Sequence, residues 1–386
     1  MKINKVEIIP VDIPQKTAFR TSTGAPIAGR HIIVKVITDK GVEGVGNSNS
    51  FTNYPYESAM IMMKNIASQA LLGQDPMNID LILNKVEAIL GESMIGENSK
   101  ILAHFDHALY DLKGKILNVP VYQLLGGLCR EKIALEYIVI NDEPTAQAEI
   151  AKKYVSAGFH SLKMHPGTDL KMAVKRFKAV RDAVGPDIPI SVDLAGGWRV
   201  HNTLDLIREL SKYNLNFVED PVAPDDIDGF LAVRNRTTVP LVADRDARSI
   251  EEAFHLIQHR AADSFHCLIG KVGGLRKAAK YVNLIEAAGL DYQVCMMGTG
   301  ISHAAGAHFA VSLSKKEGFH DELGLILYTY GVTETKDIAT DVTKEINGKI
   351  EKGYLYPPNG PGLGIELNEQ MVKRYASPGI NKIIVE

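Results

Sequence analysis

A (β/α)8 barrel preceded by an α+β domain is the fold this α/β sequence predicts, and three observations predict it. The opening residues alternate apolar and polar positions as strands do, in KVEIIPVDI and HIIVKVITDKGVEGVG, with Asp39, Lys40 and Gly41 marking a turn between two runs. The period then becomes helical over residues 56–71, 79–90 and 99–117, the last closed by Asn118 and Pro120. From Ile133 onward, short β-rich runs alternate with amphipathic helices about eight times, as a barrel of βα units requires.

The N-terminal strands followed by helices suggest a separate α+β unit over residues 1–125. The runs IALEYIVI, HSLKM, IPISVDL, LNFVED, VPLVAD, DSFHCLIG, DYQVCMM and the weaker HDELGLILY supply the barrel strands within 126–330. Between them, DLKMAVKRFKAVRDAV, SIEEAFHLIQHR and LRKAAKYVNLIEAAG carry a clear 3.6-residue period. Periodicity alone leaves an open, doubly wound sheet as the second candidate. The Pro- and Gly-rich tail within 331–386 has a further strand-like run that cannot extend a closed barrel, so it is expected to return to the N-terminal domain.

Composition narrows the function classes. At 386 residues the chain exceeds a typical single domain, and its 45% hydrophobic content can fill a large core. A net charge of −3 with no basic block gives no footprint for nucleic acid or an anionic membrane, so a small-molecule partner is expected. Cys129, Cys267 and Cys295 are odd in number and lack CxxC spacing, which fits a reducing compartment. With no secretory pattern at the N-terminus and no apolar run long enough to span a bilayer, a cytoplasmic protein is expected.

Active sites of such barrels lie at the C-terminal strand ends, and here those ends are charged. In order they give Lys163 and His165 in LKMHPG, Asp193 in SVDLAGGW, Glu219 in FVEDP, Asp244 in PLVAD, Lys271 in LIGKVGG and Glu322 in HDELG. The separations Asp193 to Glu219 (26) and Glu219 to Asp244 (25) each equal one βα unit, which places three acids on adjacent strands. One strand-end acid would more often cap the next helix. Three in succession need a cation, and oxygen ligands select a hard ion such as Mg²⁺ over Zn²⁺. Lys163 and His165, two apart, face one way and flank the acids on one side, while Lys271 flanks them on the other.

This set resembles that of the mandelate racemase and muconate-lactonizing members of the enolase superfamily, and the likeness runs through nearly the whole chain. DHALYDLKGKILNVPVYQLLGG resembles the family's helix leading into the barrel, LIGKVGGLRKAAK its sixth-strand Lys followed by Gly-Gly, and PPNGPGLGIEL its C-terminal return. The resemblance implies a modified TIM-type barrel under a capping domain. It also implies Mg²⁺, with Mn²⁺ as a substitute, on Asp193, Glu219 and Asp244, a second-strand base motif at Lys163 and His165, and Lys271 as the opposite base. The implied chemistry is removal of the α-proton of a small hydroxylated carboxylate through an enediolate, giving dehydration or racemisation/epimerisation. A muconate-type cycloisomerase and a catalytically silent metal- and ligand-binding member are the alternatives, and a homo-oligomer is expected.

Several positions depart from the family pattern. His165 stands where the second Lys of Lys-x-Lys is usual, Arg245 where an acid often follows the fifth-strand ligand, and no His ends the seventh strand in MMGTG. The last point disfavours a His/Asp dyad and favours Lys271. Glu322 is expected to donate a hydrogen bond to the enediolate if protonated. Specificity is expected from residues 17–26, with Arg20, and 49–56, with Tyr54 and Tyr56, whose polarity suggests a hydroxylated or anionic substrate.

Overall fold

The computed structural model describes residues 1–13, 29–48, 56–91, 96–140, 142–314, 321 and 350–386. Arg20, Tyr54 and Glu322 lie outside the described residues, and of Tyr56 only the backbone is described.

The alternating N-terminal runs pair as expected. Strands β1 (Ile3–Asp12) and β2 (Arg30–Thr38) form an antiparallel ladder, and β3 (Glu43–Gly46) follows the turn at Gly41, whose φ of 76° suits glycine. One face buries Val6, Ile8, Ile32, Val34 and Val36 against three helices. These are α1 (Tyr56–Ile66), continued by a π-turn over Ala67–Leu71, then α2 (Ile79–Leu90) and α3 (Glu97–Leu117). Asn118, in the left-handed region at φ 57°, ends α3. On β3, a side chain at Gly46 would run into the His104 carbonyl, so the strand packs directly on α3.

After α4 (Val121–Leu124) the chain enters the barrel, and here one expected strand divides. The run IALEYIVI splits into β4 (Ile133–Ala134), which pairs outside the barrel, and β5 (Glu136–Val139), the first barrel strand. Parallel strands then follow in sequence order: β6 (Ser161–Met164), β7 (Ile190–Asp193), β8 (Leu215–Glu219), β9 (Leu241–Ala243), β10 (Ser264–Leu268) and β11 (Asp291–Cys295). The crossovers are α5 (Pro144–Ser156), α6 (Leu170–Val184), α7 (Val200–Leu210), α8 (Ile227–Arg234), α9 (Ile250–His259) and the pair α10 (Ile269–Val272) and α11 (Leu275–Ala287). A further helix, α12 (Gly300–Val311), is buried at every position.

Sequential strand order already excludes the doubly wound alternative, whose order reverses at a switch point. Asp321 brings the two ends of the sheet together. Its backbone N–H donates to Ala134 O (3.1 Å), its carbonyl accepts from Glu136 N (3.1 Å), and its Oδ1 accepts from Val294 N of β11 (2.9 Å). The Arg130 guanidinium neutralises the same carboxylate at 2.7 Å.

The C-terminal segment divides its contacts. The hairpin of β12 (Ile350–Glu351) and β13 (Tyr354–Leu355) extends β4, whereas β14 (Ile383–Val385) pairs antiparallel with β1. The three cysteines form no disulfide, and among the described residues no helix is long and apolar enough to cross a membrane.

Five histidines are buried around α3 and α12. Burial lowers the pKa of His31, His107, His303 and His308 from 6.5 to about 4, and that of His104 to about 3. Below its unfolded-state pKa each such histidine gains a proton on unfolding, so its contribution is intact above about 6.5 and is lost as the pH falls toward the folded value. We predict that His104→Gln makes the acid-side fall in Tm between pH 6.5 and 4.5 shallower than in the wild type, whatever it does to the neutral value; an equal slope in thermal melts contradicts this.

Candidate active site at the strand ends

Parallel register delivers the acids to one end of the barrel. Asp193 and Glu219, the last residues of β7 and β8, stand directly opposite one another, and Asp244 follows the last residue of β9. Lys163 lies within β6 and His165 just past it. Lys271 differs from expectation: β10 ends at Leu268, and Lys271 sits on the single helical turn of α10. A lysine there can reach back over the strand end, because its flexible stem spans the gap that the turn opens.

Each lysine engages one carboxylate. Lys163 Nζ donates to Glu219 Oε2 at 2.7 Å, and Lys271 Nζ donates to Asp244 Oδ1 at 2.7 Å and to the Asp244 carbonyl at 3.3 Å. With only 1% of its surface exposed, Lys163 is no surface stem; a buried ammonium needs a paired carboxylate, and Glu219 supplies it. His165 Nδ1 lies 3.4 Å from Asp193 Oδ2. The loop after His165 is fixed by Trp198, whose indole N–H donates to the Gly167 carbonyl at 3.0 Å.

Two residues join this set that the sequence reading did not single out. His266 on β10 places Nδ1 3.3 Å from Glu219 Oε1, and its Nε2 is 2.8 Å from Gln293 Oε1. Its inward position in the alternation of DSFHCLIG was the available signal. Asp220, hidden beside Glu219 in the sequence, turns back at φ 46° and accepts the N–H groups of both Asp244 and Arg245 on Oδ1, each at 3.0 Å. It thereby ties the end of β8 to the end of β9. Arg245 contributes a guanidinium 3.8 Å from Asp220 Oδ2, and Asp246 turns away to accept from Asp225 N.

Charge states follow from this crowding. Burial would raise the Asp244 carboxyl, but the Lys271 ammonium, helped by His266 and Lys163, holds it at about 2. Burial would lower Lys271, and Asp244 outweighs it, leaving the ammonium above its ordinary range. Asp220 is pushed up to about 8 by burial, with Asp244 and Asp193 adding to the effect.

The donors fit a divalent cation. Ligand atoms of Asp193, Glu219 and Asp220 lie within 4.8 Å of one another, and so do those of Glu219, Asp244 and His266. Glu219 is common to both groups, so the two clusters form one continuous patch. The first is all oxygen, as a hard cation prefers; the second adds the His266 imidazole beside Glu219 and Asp244.

Carboxylates gathered on successive strand ends of a sequentially ordered barrel, with an amine on either flank, define a class of enzyme that activates a bound acid. The comparisons agree. Residues 3–126 match the N-terminal domain of the mandelate racemase/muconate lactonizing enzyme family, and residues 146–371 match the enolase C-terminal domain-like family. The N-succinyl-L-Arg/Lys racemase of Bacillus cereus is 34% identical over 97% of both chains. Among solved structures, a mandelate racemase/muconate lactonizing family protein from Azoarcus sp. EbN1 superposes with a TM-score of 0.91 at 34% identity, covering all of both chains. A dipeptide epimerase from Cytophaga hutchinsonii, complexed with Mg and the dipeptide D-Ala-L-Val, gives 0.85 at 26% identity, again over both full chains. The chain belongs to the mandelate racemase/muconate lactonizing enzyme family of the enolase superfamily.

Because Asp220 holds the backbone that presents Asp244, Asp220→Ala should weaken Mg²⁺ binding by about 10–100-fold in calorimetric titration. Unchanged affinity would show that the β8–β9 tie does not shape the cation site.

Proposed function

We propose that the protein is a racemase or epimerase acting at the α-carbon of an N-acylated amino acid or dipeptide, with Mg²⁺ held by Asp193, Glu219 and Asp244. One observation carries this reading: Lys163 and Lys271 approach the carboxylate patch from opposite flanks, each within 2.7 Å of a different acid. A substrate carboxylate seated on the patch would present its α-carbon between them. The amino-acid class is supported by the relatives, whose names describe racemases and epimerases of amino-acid derivatives. The same names favour this class over the hydroxylated carboxylate suggested by the loop polarity and, of the two outcomes expected, inversion over dehydration.

An α-hydrogen beside a carboxylate is very weakly acidic, because its removal places a second negative charge on the same group. Mg²⁺, when bound, supplies the positive charge that stabilises that dianion by several kcal/mol. The residues of this chain do the rest. On one flank His165, or Lys163 once its ammonium has given up a proton to solvent, takes the α-proton, contributing roughly 10²–10⁴-fold as a positioned base. On the other, Lys271, held protonated beside Asp244, returns a proton to the opposite face and inverts the centre. In the reverse direction the two flanks exchange roles.

The test is incubation with Mg²⁺ and N-succinyl-L-arginine, or L-Ala-L-Glu, in D₂O, followed by NMR and chiral analysis. Deuterium should enter at Cα with inversion, and Lys271→Ala should lower the rate of inversion by at least about 10². Formation of an unsaturated acid would indicate elimination instead. No exchange from a ligand that demonstrably binds would indicate the catalytically silent alternative.

A further inference from the structure

The helical turn that carries Lys271 is held from outside the barrel. Lys271 lies in the middle of α10, whose turn is closed by Gly273 N and Gly274 N donating to the Ile269 carbonyl at 3.2 and 2.9 Å. Both glycines have φ of 104°, a left-handed conformation that a side chain would strain. The next helix, α11, begins with N–H groups that its own N-cap, Gly274, cannot satisfy. Asp106, from the middle of α3, satisfies them instead. Its Oδ1 accepts from Leu275 N at 2.6 Å and its Oδ2 from Arg276 N at 3.2 Å.

The fit is tight on every side. A Cβ on Gly274 would stand 2.5 Å from the Asp106 carboxyl carbon, and one on Gly273 would stand 3.2 Å from Leu102 Cδ2, also of α3. Arg276 adds a second clamp, donating to Asn84 at 2.7 Å and pairing with Asp80 and Glu87, all from α2. Asp106 is wholly buried, and burial pushes its carboxyl up to about 7, so ionising it there is costly. Such a group is a poor device for stability alone. What it fixes is the place where α10 ends, and hence the reach of the Lys271 amine toward Asp244.

We propose that Asp106 is a positioning residue for Lys271: gripping Leu275 and Arg276 from the N-terminal domain, it sets the base on one face of the substrate and leaves the Lys163/His165 face untouched. The proposal rests on the two-flank reading above. Proton exchange separates the faces, because an enantiomer can exchange its α-proton with D₂O using only the base on its own side, whereas inversion needs both.

The experiment compares Cα–H exchange of N-succinyl-L-arginine and N-succinyl-D-arginine in D₂O with Mg²⁺, the Lys271 face being the one whose exchange Lys271→Ala abolishes. Asp106→Asn keeps the shape and loses one acceptor oxygen. It should slow exchange on the Lys271 face by about 10–100-fold, as a displacement of about 1 Å does, and alter the other face by less than about threefold. Gly274→Ala, which presses on the same contact from the other side, should give the same asymmetry. Asp111→Asn is the control: an equally buried carboxylate on α3 that holds Val45 N and Leu363 N at 2.8 Å each, away from Lys271. It should change both faces alike. Equal slowing of both faces by Asp106→Asn, or no slowing in a variant that melts like the wild type, overturns the positioning role alone. Wild-type protein that exchanges neither enantiomer, or Lys271→Ala that spares both, overturns the two-flank reading and the positioning role with it.

Discussion

Placing several carboxylates at one end of a barrel is costly, and most of the strand-end architecture answers that cost. Asp193, Glu219, Asp220 and Asp244 share one patch, Glu219 and Asp220 fully buried and Asp193 and Asp244 partly exposed at its edge, where like charges repel. Two lysine ammonium groups and backbone N–H donors offset the repulsion. Lys163 neutralises Glu219, Lys271 neutralises Asp244, and the Ala195 N–H bonds Asp193 at 2.7 Å. A cation offered to these oxygens competes with the amines for the same carboxylates.

Three buried polar side chains fasten the N-terminal domain to the rest of the chain. Asn47 accepts from Thr299 N (2.9 Å) and Ser302 Oγ (2.6 Å) on Oδ1 and donates to the Ile32 carbonyl at 2.8 Å, joining β2 to the start of α12. Asp111 joins α3 and β3 to the C-terminal segment, and Asp106 joins α3 to α11. Each is fully buried and each grips main-chain groups, so the contact is set to within a hydrogen-bond length rather than by shape alone.

Much of this was legible in the residues, for physical reasons. Strands alternate, helices repeat every 3.6 residues, and the spacings of 26 and 25 between acids betray the βα unit, so the barrel and its strand-end carboxylates could be placed without coordinates. What escaped was whatever breaks or lacks a period. The helix α12, GISHAAGAHFAV, is buried on all sides and has no polar face to give it away. The division of IALEYIVI into β4 and β5 turns on partners far away in the chain, the Tyr354–Leu355 hairpin and β6. Lys271 reads as a strand end because LIG is apolar, yet Gly273 and Gly274 permit a helical turn there. Asp106 reads as one more polar residue of an amphipathic helix, since its partners are main-chain groups 169 and 170 residues on.

The most direct measurement is a crystal structure with Mg²⁺ and an N-succinyl amino acid bound. The account predicts a single ion touching oxygens of Asp193, Glu219 and Asp244, with the amines of Lys163 and Lys271 facing the ligand's α-carbon from opposite sides. An ion that leaves one of those acids out, or a ligand whose α-carbon has both amines on the same side, would contradict it.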